Sequence, residues 1–273
     1  LQASSLVQRG TIYAYNWVVN TRKLGLRFDS GDDCIYGDNG TMHHNVVMGA
    51  LGAIKSKGND HLFYNNLVFD SWQSEDLQIL RYYPSDKSCQ PIGNGTIVMN
   101  NAGGTISGKA TGDLDITSYA KYESQYNYNE FINTPQVRYL LRDYKNYDFR
   151  PKQDATQLID AGKSVSSYSN ADSQVVGSTT DIGAYEYGDT YYFIPGYQDI
   201  VPTFPIPPNN STTAKYDADL MFLGARNAIR HELEIYNPSS DTFELKQVFY
   251  QKDNIFSNCT WEQNSFIKWR VRA

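Results

Sequence analysis

The stretch Ile12-Tyr-Ala-Tyr-Asn16-Trp-Val-Val-Asn-Thr-Arg-Lys-Leu-Gly-Leu-Arg-Phe-Asp29 decides the fold. A short extended run ends at an Asn, and an apolar pair follows at once. A second extended run, Gly25-Leu-Arg-Phe-Asp29, comes after a polar turn. The same phrase returns as Thr41-Met-His-His-Asn45-Val-Val-Met48, Leu62-Phe-Tyr-Asn-Asn66-Leu-Val-Phe69 and Ile97-Val-Met-Asn-Asn101-Ala-Gly-Gly104. Further second strands read Gly52-Ala-Ile-Lys-Ser56 and Leu77-Gln-Ile-Leu-Arg81. The Asn recurs at intervals of about 20 to 35 residues, the uneven period of a solenoid whose coils carry loops of different length.

The physics of a coil explains the Asn. A sharp bend between two parallel strands leaves backbone groups unpaired, and an Asn side chain offers both a donor and an acceptor. It also tolerates the left-handed backbone region. Stacked coils bring such amides about 4.8 Å apart, so Asn16, Asn45, Asn66 and Asn101 are predicted to bond to one another as a ladder.

Residues 16–29, then Asn45-Val-Val, then Lys57-Gly-Asn-Asp-His-Leu-Phe-Tyr-Asn-Asn66 resemble secreted pectate-lyase-like β-helix repeat proteins. A second resemblance is to the C-terminal end of such β-helices, carried by Asp148-Phe-Arg-Pro, Leu158-Ile-Asp-Ala-Gly162 and Asp181-Ile-Gly-Ala-Tyr-Glu-Tyr187. The resemblance spans roughly residues 10 to 190. It implies an all-β chain whose residues 1–196 form a right-handed parallel β-helix solenoid. It leaves the activity open, because this architecture serves lyases, hydrolases, binding modules and fibres alike.

Residues 197–212 change character. Val201-Pro-Thr-Phe-Pro-Ile-Pro-Pro208 reads as a semi-rigid extended linker. Beyond it, Ala218-Asp-Leu-Met-Phe222, His231-Glu-Leu-Glu-Ile-Tyr236, Phe243-Glu-Leu245 and Phe266-Ile-Lys-Trp-Arg-Val271 alternate as antiparallel strands do. Residues 213–273 resemble a fibronectin type III-like β-sandwich that is only partly present, which reads as a fragment of a longer chain.

Composition narrows the partners. The formal charge of −6 comes with no Lys/Arg run, which argues against a nucleic-acid partner. No apolar stretch approaches the roughly 20 residues of a bilayer span. Sequons at Asn39, Asn94, Asn209, Asn210 and Asn258 imply covalent N-glycans and a secreted, extracellular protein. Of the three cysteines, Cys34 and Cys89 are candidates for a disulfide between neighbouring coils, and reduced thiols are the other reading.

Side-chain alternation then nominates a site. If Leu26 and Phe28 point into the coil, Arg27 points out, and Ile54 and Lys55 repeat the pattern. Arg27, Lys55 and Arg81 are the candidate binding row. Arg27 and Lys55, with His44 and His61, are the catalytic candidates, and His43 adjoins them. Lyase chemistry on an acidic polysaccharide needs a cation for the uronate carboxylate and a base for the α-proton, a Lys, Arg or His whose pKa its neighbours lower. A plain solvated outer face explains the same residues. Asp29, Asp32, Asp33 and Asp38 crowd a Gly-rich loop and form a Ca²⁺ candidate, with a polar turn as the simpler reading. A glycosidase's paired carboxylates are a further reading of the same Asp residues.

The leading reading is an extracellular structural or glycan-binding β-helix module of a larger surface-coat, fibre or adhesin protein. Its partners are a polysaccharide or neighbouring copies of the same protein, since β-helix ends are open to further strands. The alternative is a polysaccharide lyase on an acidic glycan, with a glycoside hydrolase behind it.

Overall fold

The computed structural model of the chain describes residues 2–3, 9–29, 37–72, 76–79, 95–104, 106–107, 130–131, 134–164, 175–213, 217–257 and 260–273. Among these, strands dominate and Thr134–Leu140 is the one α-helix. The chain divides into two compact units: residues 1–142 with 150–187, and residues 143–149 with 188–273.

The first unit is built on three parallel sheets. The first sheet takes Gln2–Ala3, Leu24–Phe28, Gly52–Ser56, Leu77–Ile79 and Ile106–Ser107 in that order. The second takes Ile12–Ala14, Thr41–His43, Leu62–Tyr64 and Ile97–Met99. The third takes Trp17–Val19, Val46–Met48, Leu67–Phe69, Ala102–Gly103 and Glu130–Phe131. The chain therefore visits the second, third and first sheet in turn and returns one strand further along each.

The registers put like on like. Tyr13, Met42, Phe63 and Val98 lie in one row, Val18, Val47 and Val68 in another, and Leu26, Ile54 and Leu77 in a third. All three rows pack into one apolar core with Phe28 and Ile79. Alternation along each three- to five-residue strand is what sends one row inward and leaves its neighbours outside.

Each bend is marked by a left-handed backbone. Tyr15, His44, Asn65 and Asn100 carry φ of 57°, 50°, 50° and 54° between the second and third sheets. Asn20, Gly49 and Asp70 do so after the third sheet, and Gly10, Asn39, Asp60 and Gly95 before the second. A column of positive φ is why Asn, Asp and Gly crowd these positions. Helix Thr134–Leu140 is tied to one bend by Arg138, whose Nε and Nη2 reach the Asp70 carboxylate at 2.9–3.0 Å.

The second unit holds two three-stranded antiparallel sheets. Thr203–Ile206, Leu220–Leu223 and Ile255–Phe256 form one, and Thr242–Tyr250, Arg230–Asn237 and Trp269–Arg272 form the other. Leu220, Phe222, Leu233 and Phe249 meet between them. The stretch that reads as a linker, 197–212, contains the strand Thr203–Ile206. Pro205 is tolerated there because the strand lies at a sheet edge. Buried Asn254 accepts the Tyr192 N–H and donates to the Tyr192 and Phe222 carbonyls, fixing residues 190–194 within this unit.

Candidate functional site

The first sheet carries the candidate row. Register pairs Gln2 with Arg27, Arg27 with Lys55, Lys55 with Gln78, and Gln78 with Ser107. Their neighbours Leu26, Ile54 and Leu77 face the core, so this row occupies the opposite face, one residue per strand at about 4.8 Å. The sequence placed Arg81 beside Lys55. The structure gives that place to Gln78, which the same alternation assigns once Leu77 and Ile79 point inward. Arg81 itself lies outside the described residues.

Arg27 and Lys55 are half-buried, and Gln78 is buried. Arg27 Nη2 lies 2.7 Å and Lys57 Nζ 3.1 Å from the same oxygen, Oδ1 of Asp29. Gln2 Nε2 donates to the other oxygen at 3.2 Å. Two cations thus share one carboxylate. Arg27 Nε is buried without a hydrogen-bond partner, so the guanidinium keeps an unmet donor.

The histidine candidates are buried. His44 lies at the bend between the second and third sheets, 6% exposed, with Nδ1 2.9 Å from Nδ1 of His43. Its ring stacks on Tyr15 at 5.0 Å, and the His43 ring stacks on Tyr64 at 4.8 Å. Burial, then the neighbouring His43, pushes the His44 pKa down to about 3. His61 is 1% exposed. Its Nδ1 accepts the Gly40 N–H at 3.0 Å, so Nε2 carries the proton and donates to the Lys57 carbonyl at 2.9 Å. The ring stacks on Phe28 at 4.8 Å, and burial holds its pKa below the usual histidine value. Both rings are therefore held neutral inside the fold, and neither shares the exposed face of Arg27 and Lys55.

Of the loop carboxylates, Asp29 is committed to Arg27 and Lys57, while Asp38 pairs with Arg9 at 3.4 Å. Asp32 and Asp33 lie outside the described residues. Among the described residues no three His, Cys, Asp or Glu side chains gather closely enough to hold a metal ion. Asn39, Asn209 and Asn210 are exposed. Asn94, Asn258, Cys34 and Cys89 lie outside the described residues.

The Asn positions make the best-defined array in the unit. Asn16 Nδ2 donates to Asn45 Oδ1 at 2.9 Å, Asn45 Nδ2 to Asn66 Oδ1 at 2.9 Å, and Asn66 Nδ2 to Asn101 Oδ1 at 2.8 Å. Each acceptor also takes the backbone N–H of the donor residue, at 3.1–3.2 Å. The second Nδ2 hydrogen goes to strand carbonyls such as Tyr13, Met42 and Phe63. Asn45, Asn66 and Asn101 are wholly buried, and their side-chain amides are met from within.

A second set of titratable groups closes the unit. Asp160 Oδ1 accepts the Ser178 and Thr179 N–H groups, which lower its pKa. Asp181 accepts from the Asp160 and Tyr187 backbones at 2.7 and 2.6 Å. Glu186 Oε1 accepts from Thr180 Oγ1 at 2.7 Å and the Asp181 N–H at 3.0 Å. Burial nonetheless lifts the Glu186 pKa to about 7. This segment is bound to the bend column, since Asn65 Nδ2 donates to the Asp181 and Gly183 carbonyls and the Gly183 N–H donates to Asn100 O.

Sequence reasoning missed the convergence on Asp29. The signal is period two: Asp29 and Lys57 stand two residues beyond Arg27 and Lys55. It also missed the buried state of His44 and His61, which no local pattern reveals. Comparisons with family models, with curated proteins and with solved structures returned no match.

Proposed function

We propose that the first unit is a right-handed parallel β-helix, similar to secreted pectate-lyase-like repeat proteins, and that it binds glycan without cleaving it. In this reading it is an extracellular structural or glycan-binding module of a larger surface-coat, fibre or adhesin protein. The second unit is a fibronectin type III-like β-sandwich.

One observation carries the binding half. Arg27 and Lys55 stand in register on one sheet face, half-exposed and backed by Lys57, whereas His44 and His61 are buried inside the fold. Cations at fixed spacing on a rigid sheet attract the carboxylates or sulfates of an acidic polysaccharide. Proton abstraction needs a base within reach of the sugar, and both histidine candidates are buried beneath the surface. The extracellular reading is supported by exposed sequons at Asn39, Asn209 and Asn210. No described helix is long and apolar enough to cross a membrane.

Calorimetric titration with acidic and neutral polysaccharides tests the proposal. Binding to an acidic chain that weakens with salt, and about tenfold with Arg27→Ala or Lys55→Ala, supports it. Equal affinity for neutral chains, or binding unchanged in both variants, contradicts it.

A further inference from the structure

The Asp29 carboxylate stands where the anion of a ligand would sit. Arg27 Nη2 at 2.7 Å and Lys57 Nζ at 3.1 Å meet its Oδ1, and Gln2 Nε2 meets its Oδ2 at 3.2 Å. Asp29 directly follows the strand Leu24–Phe28 and Lys57 directly follows Gly52–Ser56, so the carboxylate adjoins the row that carries Arg27 and Lys55. The side chains of Arg27, Lys57 and Asp29 are 23%, 29% and 15% exposed. The group therefore lies at the surface, open to solvent ions.

The bond to Arg27 is also an incomplete one. A guanidinium that faces a carboxylate squarely gives it two parallel N–H groups, the stronger arrangement. Arg138 does so at Asp70, with Nε 2.9–3.0 Å from the two oxygens and Nη2 2.9 Å from Oδ2. Arg27 offers Asp29 its Nη2, while its Nε is buried with no hydrogen-bond partner. A pair that leaves a buried donor unmet holds less firmly than one that satisfies it. Of the two ion pairs, the one at Arg27 is the one built to open.

We propose that Asp29 is an internal counterion that an acidic ligand displaces, and that it thereby sets the affinity and selectivity of the Arg27–Lys55 face. The proposal rests on the glycan-binding reading and names how that site is regulated. Without ligand, Asp29 keeps Arg27 and Lys57 from standing unpaired in a partly buried place, where a lone charge is costly. A carboxylate or sulfate group of the ligand competes with Asp29 for the same two cations. A neutral chain brings no anion to the exchange, so its binding is not rewarded. A densely charged chain presents several anions at once, and the linked contacts act together. The ligand class selected is therefore a densely charged polysaccharide.

The test measures dextran sulfate binding by calorimetry, with neutral dextran as the control. It compares the native protein, Asp29→Asn, and Asp29→Asn combined with Arg27→Ala, each shown folded by circular dichroism. Asp29→Asn removes the competing charge and keeps the side chain's shape, so it is expected to tighten binding about tenfold. Adding Arg27→Ala is expected to remove that gain. Unchanged or weaker binding by Asp29→Asn, with the native protein still binding, overturns the proposal and leaves the glycan reading standing. Absence of binding by native protein and variant alike overturns both. If Asp29→Asn does not fold, the carboxyl carbon-13 resonance of Asp29 in the native protein decides. It is expected to move as dextran sulfate saturates the site, and a resonance that stays fixed at saturation overturns the proposal.

Discussion

Asn66 donates its side-chain amide to Oδ1 of Asn101 at 2.8 Å across 35 residues of sequence, the same bond that Asn45 makes to Asn66 across 21. Loops of unequal length thus enter and leave a bend whose hydrogen bonding does not change. That constancy lets the remaining faces vary, and it is why function must be sought on the outer rows and the ends.

The ladder predicts a gradient of cost. Asn66 accepts two bonds and donates to Asn101, Met42 and Tyr64 while wholly buried. Asn66→Ala strands buried partners on both sides and is expected to lose about 3–5 kcal/mol. Asn16→Ala, half-buried and with no bond accepted at Oδ1, is expected to lose about 1–2 kcal/mol. Urea unfolding followed by circular dichroism measures both, and equal losses would contradict the ladder as a cooperative array.

Gly25 has no room for a methyl group. A Cβ there would lie 2.4 Å from Val47 Cγ1 and 2.6 Å from the Ala53 carbonyl oxygen. Gly25→Ala must push two strands apart and is expected to cost about 2–4 kcal/mol. Gly10→Ala meets nothing within 4 Å, and its φ of 79° confines the cost to roughly 1 kcal/mol. Thermal unfolding of the two variants compares them directly.

His44 makes the fold acid-sensitive. Its pKa falls from 6.5 to about 3 on folding, so the unfolded chain takes up a proton that the folded chain refuses. The stability it supplies is complete above pH 6.5 and is lost as pH falls towards 3, by up to about 1.4 kcal/mol per pH unit. His44→Asn places at this bend the residue found at Asn65 and Asn100, which carry the same left-handed backbone. Unfolding free energies between pH 4 and 7 should therefore show a shallower slope in the variant. An unchanged slope would contradict the burial of a neutral imidazole.

Glu186 acts in the opposite direction. Its pKa rises from 4.5 to about 7, so its contribution is complete below pH 4.5 and is lost as pH rises through 7. Relative to Glu186→Gln, the native protein should lose on the order of 1–3 kcal/mol between pH 4.5 and 8. Comparing each variant with the native protein at every pH separates this effect from that of His44.

What the sequence makes legible follows from period. Spacing alone is enough to read the Asn positions, because the same side chain solves the same bend each time. Alternation is enough to read Arg27 and Lys55 as neighbours, and it would have named Gln78 had it been carried past Ile79. Burial is different, since His44 and His61 look like exposed polar residues until the Phe28, Tyr15 and Tyr64 rings are seen against them. Thr203–Ile206 hid behind its prolines, which an edge strand accepts and a central one does not. Nothing local marks Tyr15 as a left-handed residue, because an aromatic side chain is a poor choice there.

In the proposed function the Arg27–Lys55 face holds an acidic polysaccharide and leaves it intact. The direct measurement incubates the protein with a panel of acidic and neutral polysaccharides and follows chain length by mass spectrometry. The expected result is retention of an acidic chain at unchanged length, lost in Arg27→Ala and Lys55→Ala. Shortened products bearing an unsaturated uronate would contradict it and make this face the active site of a lyase.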